Sequence, residues 1–334
     1  MTIKFKASFR PVTLGWMAAA FALCFAQQVY AEQPHRALFI GNSYTAANAP
    51  DDLKGQYQAL MQEAIERNLW ADTSVVIETQ DVTAGGYLLR MHLKDAQQPA
   101  SPVAQALATT LSVVVLQEQS QIPAFKLTGH PEYQQSLNAF EGLDDLAETA
   151  GATTVALMTW GRRQGDASNS FMSTFKSMQS ALAKGYEGYV QKTSTSTRPI
   201  LMAPAGLAFE AIFDDLVAAG QDPVAEDSIF SRLYEPDGSH PTSLGSYLAA
   251  LTVVGAVTGL NVTAFQWRPQ SVSEEDAILL RNAALTALSV WPPPAPAVEQ
   301  QADISTAEVV EPSVAEPQIE ADVIAPEEVI EDQG

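Results

Sequence analysis

Short apolar runs alternate along the chain with longer stretches in which apolar residues recur at helical spacing. The runs at 37–40, 75–79, 112–117, 154–159 and 199–203 predict strands. The stretches at 53–68, 102–110, 132–149, 171–191 and 207–219 predict the helices between them, and two more are expected at 244–258 and 274–289. Strands spaced by helices make βαβ units and a parallel sheet. Five of them fit one doubly wound sheet with helices on both faces, a three-layer α/β/α domain over residues 32–290. No internal repeat at a solenoid period is present.

The two ends differ in kind from this domain. Lys4, Lys6 and Arg10 precede an apolar run from Val12 to Ala26, and Val29-Tyr30-Ala31 offers a small residue at a cleavage position. This is the layout of a secretory signal peptide over residues 1–31. The apolar run falls short of the roughly 20 residues of a membrane span. A periplasmic or extracellular protein without stable membrane insertion is therefore expected. Cys24, the one cysteine, lies in the removed segment behind the bulky Leu23, which disfavours lipid attachment. At the other end Pro292-Pro293-Pro294 and Pro296 stop the last helix. Eleven acidic residues and no Lys or Arg follow up to Gly334. Residues 291–334 read as a disordered acidic tail, a solvated spacer by default or a docking segment for a cationic partner.

Charge narrows the partners. Loss of the three basic leader residues takes the net charge from −21 to −24, with 15 basic against 39 acidic residues. Nucleic acid and anionic lipid both require a basic face, so neither is expected. No spacing of His, Asp and Glu suggests a zinc site, and no metal or other cofactor is expected.

The candidate chemistry starts at Ala37-Leu38-Phe39-Ile40-Gly41-Asn42-Ser43, where a hydroxyl follows a buried strand and a tight turn. Open α/β sheets bind ligands in that crevice. Ser43 is there either a nucleophile or an ordinary helix cap. A nucleophile needs a base, and the chain has four histidines. His35, His92 and His130 read as surface or packing residues. His240 stands in Asp237-Gly238-Ser239-His240-Pro241, where a tight turn folds the Asp237 carboxylate back onto the imidazole, or else forms a plain surface turn. No Gly-x-Ser-x-Gly elbow, phosphate-binding loop or dinucleotide fingerprint is present.

Gly41-Asn42-Ser43 and Asp237-x-x-His240 resemble the first and last blocks of the SGNH (GDSL-like) hydrolase superfamily. Thr83-Ala84-Gly85-Gly86-Tyr87 resembles its second block, with Gly86 as the matching glycine and Gly85 beside it. Gln117-Glu118-Gln119-Ser120 stands where the family has Gly-x-Asn-Asp, so Gln119 falls on the asparagine. That glutamine, and Asn42 in place of the usual aspartate, mark a divergent branch. The resemblance implies a flavodoxin-like fold and a serine esterase. Ser43 would be the nucleophile, His240 the base and Asp237 its orienting acid, with Ser43, Gly86 and Gln119 forming the oxyanion hole. It implies an ester substrate, small or on a glycan, with O-acetyl groups on carbohydrate well represented. Tyr87 and Trp160 would then line a sugar-binding floor, or simply pack against the sheet. The alternative from another class is a non-catalytic envelope module that binds carbohydrate or a partner on the same scaffold.

Overall fold

The structure, a computed structural model, describes residues 34–47, 51–70 and 75–291. The expected signal peptide and, beyond Trp291, the expected acidic tail lie outside the described residues.

In chain order the elements begin with β1 (His35–Gly41), α1 (Ser43–Ala46), α2 (Leu53–Glu66), β2 (Ile77–Thr83), α3 (Leu89–Ala96) and α4 (Pro102–Leu107). Then come β3 (Val113–Leu116), α5 (Pro131–Thr149), β4 (Thr153–Leu157), α6 (Phe175–Thr193), β5 (Leu201–Ala203) and α7 (Ala205–Ala218). The short α8 (Ile229–Arg232), α9 (Ser243–Thr258) and α10 (Glu274–Val290) complete the domain. The five strands form one parallel sheet in the order β2-β1-β3-β4-β5. This is the expected three-layer α/β/α architecture.

Alternation along the strands builds two cores. Ala37, Phe39, Val113, Val115, Val155 and Leu157 face a layer that includes α2, α7, α9 and α10. Leu38, Ile40, Val114, Leu116 and Ala156 face the layer of α3, α4, α5 and α6. Because both faces are covered, the central strands read as continuous apolar runs. Helix α9 is buried on nearly every side, from Leu244 to Gly255. That makes it a rigid support for the loop immediately before it.

Strand β2 departs from the sequence expectation of 75–79. It runs from Ile77 to Thr83, paired residue for residue with His35–Gly41 of β1. As an edge strand its extent follows backbone pairing with β1, not hydrophobicity, and Val76 is left exposed. The order of strands reverses between β1 and β3, so the switch-point crevice opens beyond their carboxyl ends. The Gly41-Asn42-Ser43 turn lies at that point.

Candidate active site

The turn after β1 is held from three sides. Asn42 is extended at φ −136° and caps α1, its Oδ1 accepting the Tyr44 N–H at 3.1 Å. Its Nδ2 donates to the Tyr87 carbonyl at 3.0 Å. Its backbone N–H donates to Gln117 Oε1 at 2.9 Å, and the Thr45 hydroxyl donates to the same oxygen at 3.0 Å. Gly41 permits this approach, since a Cβ there would stand 2.5 Å from Gln117 Oε1. From below, the buried His92 ring donates from Nε2 to the Gly41 carbonyl at 2.7 Å. Burial lowers the His92 pKa, in keeping with a neutral ring that carries one donor.

The turn presents Ser43 to the loop before α9. Ser43 Oγ lies 2.8 Å from His240 Nε2. His240 Nδ1 lies 2.5 Å from Asp237 Oδ2. Asp237 Oδ1 accepts the N–H groups of Ser239 at 2.8 Å and His240 at 3.0 Å. Gly238 turns the loop at φ +68°, and a Tyr234–Pro241 bridge closes its base. Burial alone would raise the Asp237 pKa. Bonds from the His240 ring and the two backbone donors outweigh it, and the carboxyl sits below its ordinary range. An ionised Asp237 accepts the hydrogen bond of Nδ1–H and so leaves Nε2 free to accept from the Ser43 hydroxyl.

Behind this triplet stand three stacked aromatic rings. Tyr44 stacks on Trp160 at 5.1 Å and Trp160 on Phe209 at 4.6 Å, while the Tyr44 ring meets His240 edge-on. Trp160 Nε1 donates to the Ser239 carbonyl at 3.1 Å, and the Tyr44 hydroxyl meets Ser239 Oγ at 2.5 Å. Tyr44 and Trp160 thereby set the position of the histidine loop.

Ser43, His240 and Asp237 open onto a cavity of about 590 Å³. Its other walls include Ala46, Ala47, Ala84 and Gly85. Among the described residues no hydrogen bond engages the backbone N–H groups of Ser43, Gly85 or Gly86. These are donors left unspent beside the cavity.

The structure thus brings Ser43, Asp237 and His240 together and seats the other expected residues differently. Gly86 adjoins the cavity-lining Gly85 in the left-handed region, at φ +68°. Gln119 folds onto its own loop, its Oε1 accepting the Gln121 N–H at 2.8 Å and its Nε2 donating to Ser120 Oγ at 3.2 Å. Trp160 is corrected outright as a sugar-binding floor: it is 1% exposed, sandwiched between Tyr44 and Phe209. Tyr87 is half-buried with its ring edge-on to His92 and its hydroxyl donating to Asp95 at 2.9 Å, outside the cavity lining. His35 lies at the far end of β1 against the Tyr57 hydroxyl, and His130 caps α5.

Two supporting residues escaped the sequence reading. Gln117, not Gln119, is the amide after β3 that meets the Gly41-Asn42-Ser43 turn. Glu118 is buried, and its Oε1 accepts the N–H groups of Leu89 at 3.2 Å and Gln119 at 2.6 Å. Its Oε2 accepts from the Ser136 hydroxyl, which accepts from the Tyr189 hydroxyl at 2.7 Å. Burial raises the Glu118 pKa against the pull of these bonds. A carboxylate two residues after the run Val113-Val114-Val115-Leu116 was the available signal. Among the described residues no group of three or more His, Cys, Asp or Glu is arranged to hold a metal ion. None of the described helices is long and apolar enough to cross a membrane.

No protein-family model matches the chain, and no curated protein does. Solved structures do. A DUF4886 family protein from Bacteroides uniformis aligns at 16% identity over 78% of this chain and 96% of that one, with a TM-score of 0.58. A candidate SGNH hydrolase from Slackia heliotrinireducens aligns at 24% identity over 67% and 98%, with a TM-score of 0.47. An acetylxylan esterase from Geobacillus stearothermophilus, solved as a catalytic mutant, aligns at 15% identity over 71% and 97%, with a TM-score of 0.43. At these identities the likeness is one of fold. The solved structures it resembles in fold include SGNH and GDSL-like hydrolases.

Proposed function

We propose that this protein is an exported serine esterase. The observation that carries the reading is the run of contacts from Ser43 Oγ to His240 Nε2 at 2.8 Å and from His240 Nδ1 to Asp237 at 2.5 Å, opening on a cavity at the switch point of the sheet. Ser43 Oγ attacks the ester carbonyl carbon as His240 Nε2 takes its proton. Asp237 holds the ring in the tautomer that leaves Nε2 free and stabilises the imidazolium that forms. The tetrahedral oxyanion takes the unspent N–H groups of Ser43 and of the Gly85-Gly86 loop. On collapse His240 returns the proton to the departing alcohol oxygen. Water then repeats the sequence on the acyl-enzyme and frees Ser43.

Export rests on the N-terminal charge and hydropathy pattern alone. The cavity wall named above is built of small residues around the triplet, and Trp160 stands behind it, so the aromatic argument for a sugar substrate falls away.

The test is active-site labelling of the purified protein with a serine-reactive fluorophosphonate, with the adduct mapped, beside hydrolysis of p-nitrophenyl acetate. An adduct on Ser43 and loss of both signals in Ser43→Ala are expected. Hydrolysis by Ser43→Ala at the wild-type rate overturns the assignment.

A further inference from the structure

The cavity presents two carboxylates, and only one of them is committed to the triplet. Asp237 is engaged by the His240 ring and by two backbone N–H groups. Glu235 also lines the cavity. Its backbone is fixed relative to the base, with its N–H donating to the His240 carbonyl and its carbonyl accepting the Gly238 N–H, both at 2.8 Å. Its side chain is half-buried, and no hydrogen bond or ion pair among the described residues engages it.

None of the nearby cations forms an ion pair with it. Arg163 packs against Gly238 and makes no ion pair among the described residues. Arg162 points to Asp166 at 3.8 Å, and Lys54 is bound by Asp81. Asp81 also accepts from the hydroxyl of Thr83, a cavity residue, at 3.1 Å, so that side of the cavity is at best neutral. During attack the new oxyanion balances the new imidazolium, and the charges on Asp237 and Glu235 are then left over.

The chemistry fixes which part of a substrate meets that charge. The leaving oxygen must reach His240 Nε2 to be protonated, so the alcohol portion of the ester lies on the His240 side of the cavity. Glu235 is tied to His240 by its backbone and belongs to that side. Resting on the esterase reading above, we infer that Glu235 selects esters whose alcohol portion is positively charged and disfavours those whose alcohol portion is an anion. The selectivity is modest and salt-sensitive, because the carboxylate is partly in solvent and exposed charges are screened beyond about 8 Å at physiological ionic strength.

The experiment measures kcat/KM by pH-stat for three acetates of similar size: acetylcholine, its uncharged isostere 3,3-dimethylbutyl acetate, and anionic 2-acetoxyethanesulfonate. In the wild type the expected order is cationic, neutral, anionic. Glu235→Gln should compress the cationic-to-anionic ratio by about three- to tenfold, the scale of a partly exposed charge pair. Glu235→Lys should invert the order, and added salt should flatten it in the wild type. The ratio is internal to each preparation, so a reduced folded fraction cancels. Equal rates on all three esters in the wild type, or a ratio unmoved by Glu235→Gln, overturn the inference and leave the esterase reading standing. Failure of all three esters together with no Ser43 adduct overturns both.

Discussion

Asn42 donates its side-chain N–H to the Tyr87 carbonyl at 3.0 Å and so fastens the Gly41-Asn42-Ser43 turn to the glycine loop beside the cavity. The same side chain accepts the Tyr44 N–H through its oxygen. Only an amide serves both partners, because one requires an acceptor and the other a donor. This explains the Gly-Asn-Ser block physically: an aspartate would set a carboxylate oxygen against a carbonyl oxygen. Asn42→Asp should therefore lose about 1–3 kcal/mol of stability and at least roughly tenfold in kcat. Thermal melts and p-nitrophenyl acetate kinetics measure both, and a fully active, equally stable variant contradicts the account.

In the proposed mechanism Asp237 acts through the histidine tautomer, so its replacement by an isosteric amide is the informative change. Asp237→Asn should cut kcat by up to about 10⁴, the loss seen for the equivalent change in a serine protease triad, with a smaller effect on KM. Its pKa is held below the ordinary value of 3.8. A carboxyl depressed in the folded state stabilises above its unfolded value, and that stability is lost as pH falls through the folded value. The stability gap between wild type and Asp237→Asn should thus be present at neutral pH and close below about pH 3.8, which urea titrations across that range measure. The side chain is 49% exposed, so the gap is small.

Glu118 joins the third-block loop to the start of α3, through Gln119 and Leu89. Glu118→Ala strands the buried N–H of Leu89, at about 1–3 kcal/mol, and the part-buried N–H of Gln119, and should slow turnover by letting the glycine loop shift. Glu118→Gln keeps an acceptor for both and should recover most of the loss. The pH sign is opposite to that of Asp237. A carboxyl whose folded pKa is raised binds a proton that the unfolded chain has released, so stability falls as pH rises from the ordinary 4.5 through the raised value. Glu118→Gln should remove that slope from the denaturation profile.

The fold was legible because the central strands are buried on both faces and read as apolar runs, and the helices between them keep their period. Ser43, His240 and Asp237 were legible for a different reason. Histidines are scarce, and the acid lies three residues from the base, so one local turn makes the contact. The third block was not legible at this level. Gln117 and Gln119 carry the same amide, and the β1–β3 register, with Ile40 opposite Leu116, brings Gln117 to the nucleophile turn. That register is a property of two paired strands and is absent from the local sequence. Trp160 failed for a similar reason, since a large aromatic after a strand suits a wall or a core equally until Tyr44 and Phe209 close over it.

The position of Trp160 makes a prediction of its own. As a core ring that bonds Ser239, it supports the loop of His240 and does not touch substrate. Trp160→Ala should cost about 3–5 kcal/mol, as large-to-small changes in a core do. In whatever folds, kcat should fall for every ester alike. A selective rise in KM for acetylated sugars, with stability unchanged, would instead return Trp160 to the cavity wall.

Gln119 separates a backbone oxyanion hole from one completed by a side chain. Its amide is spent on Ser120 and Gln121, while the N–H groups of Ser43, Gly85 and Gly86 have no partner among the described residues. If the backbone carries the oxyanion, Gln119→Ala should lose less than about tenfold in kcat, well short of the roughly 10²–10³ that follows removal of a true oxyanion donor. The glycine loop should be the sensitive element. Gly86 sits at φ +68°, where any Cβ is strained, so Gly86→Ala should distort the donors and cost more turnover than Gln119→Ala. The reverse order of the two variants would mean that the Gln119 side chain leaves its own loop and turns to the oxyanion during the reaction.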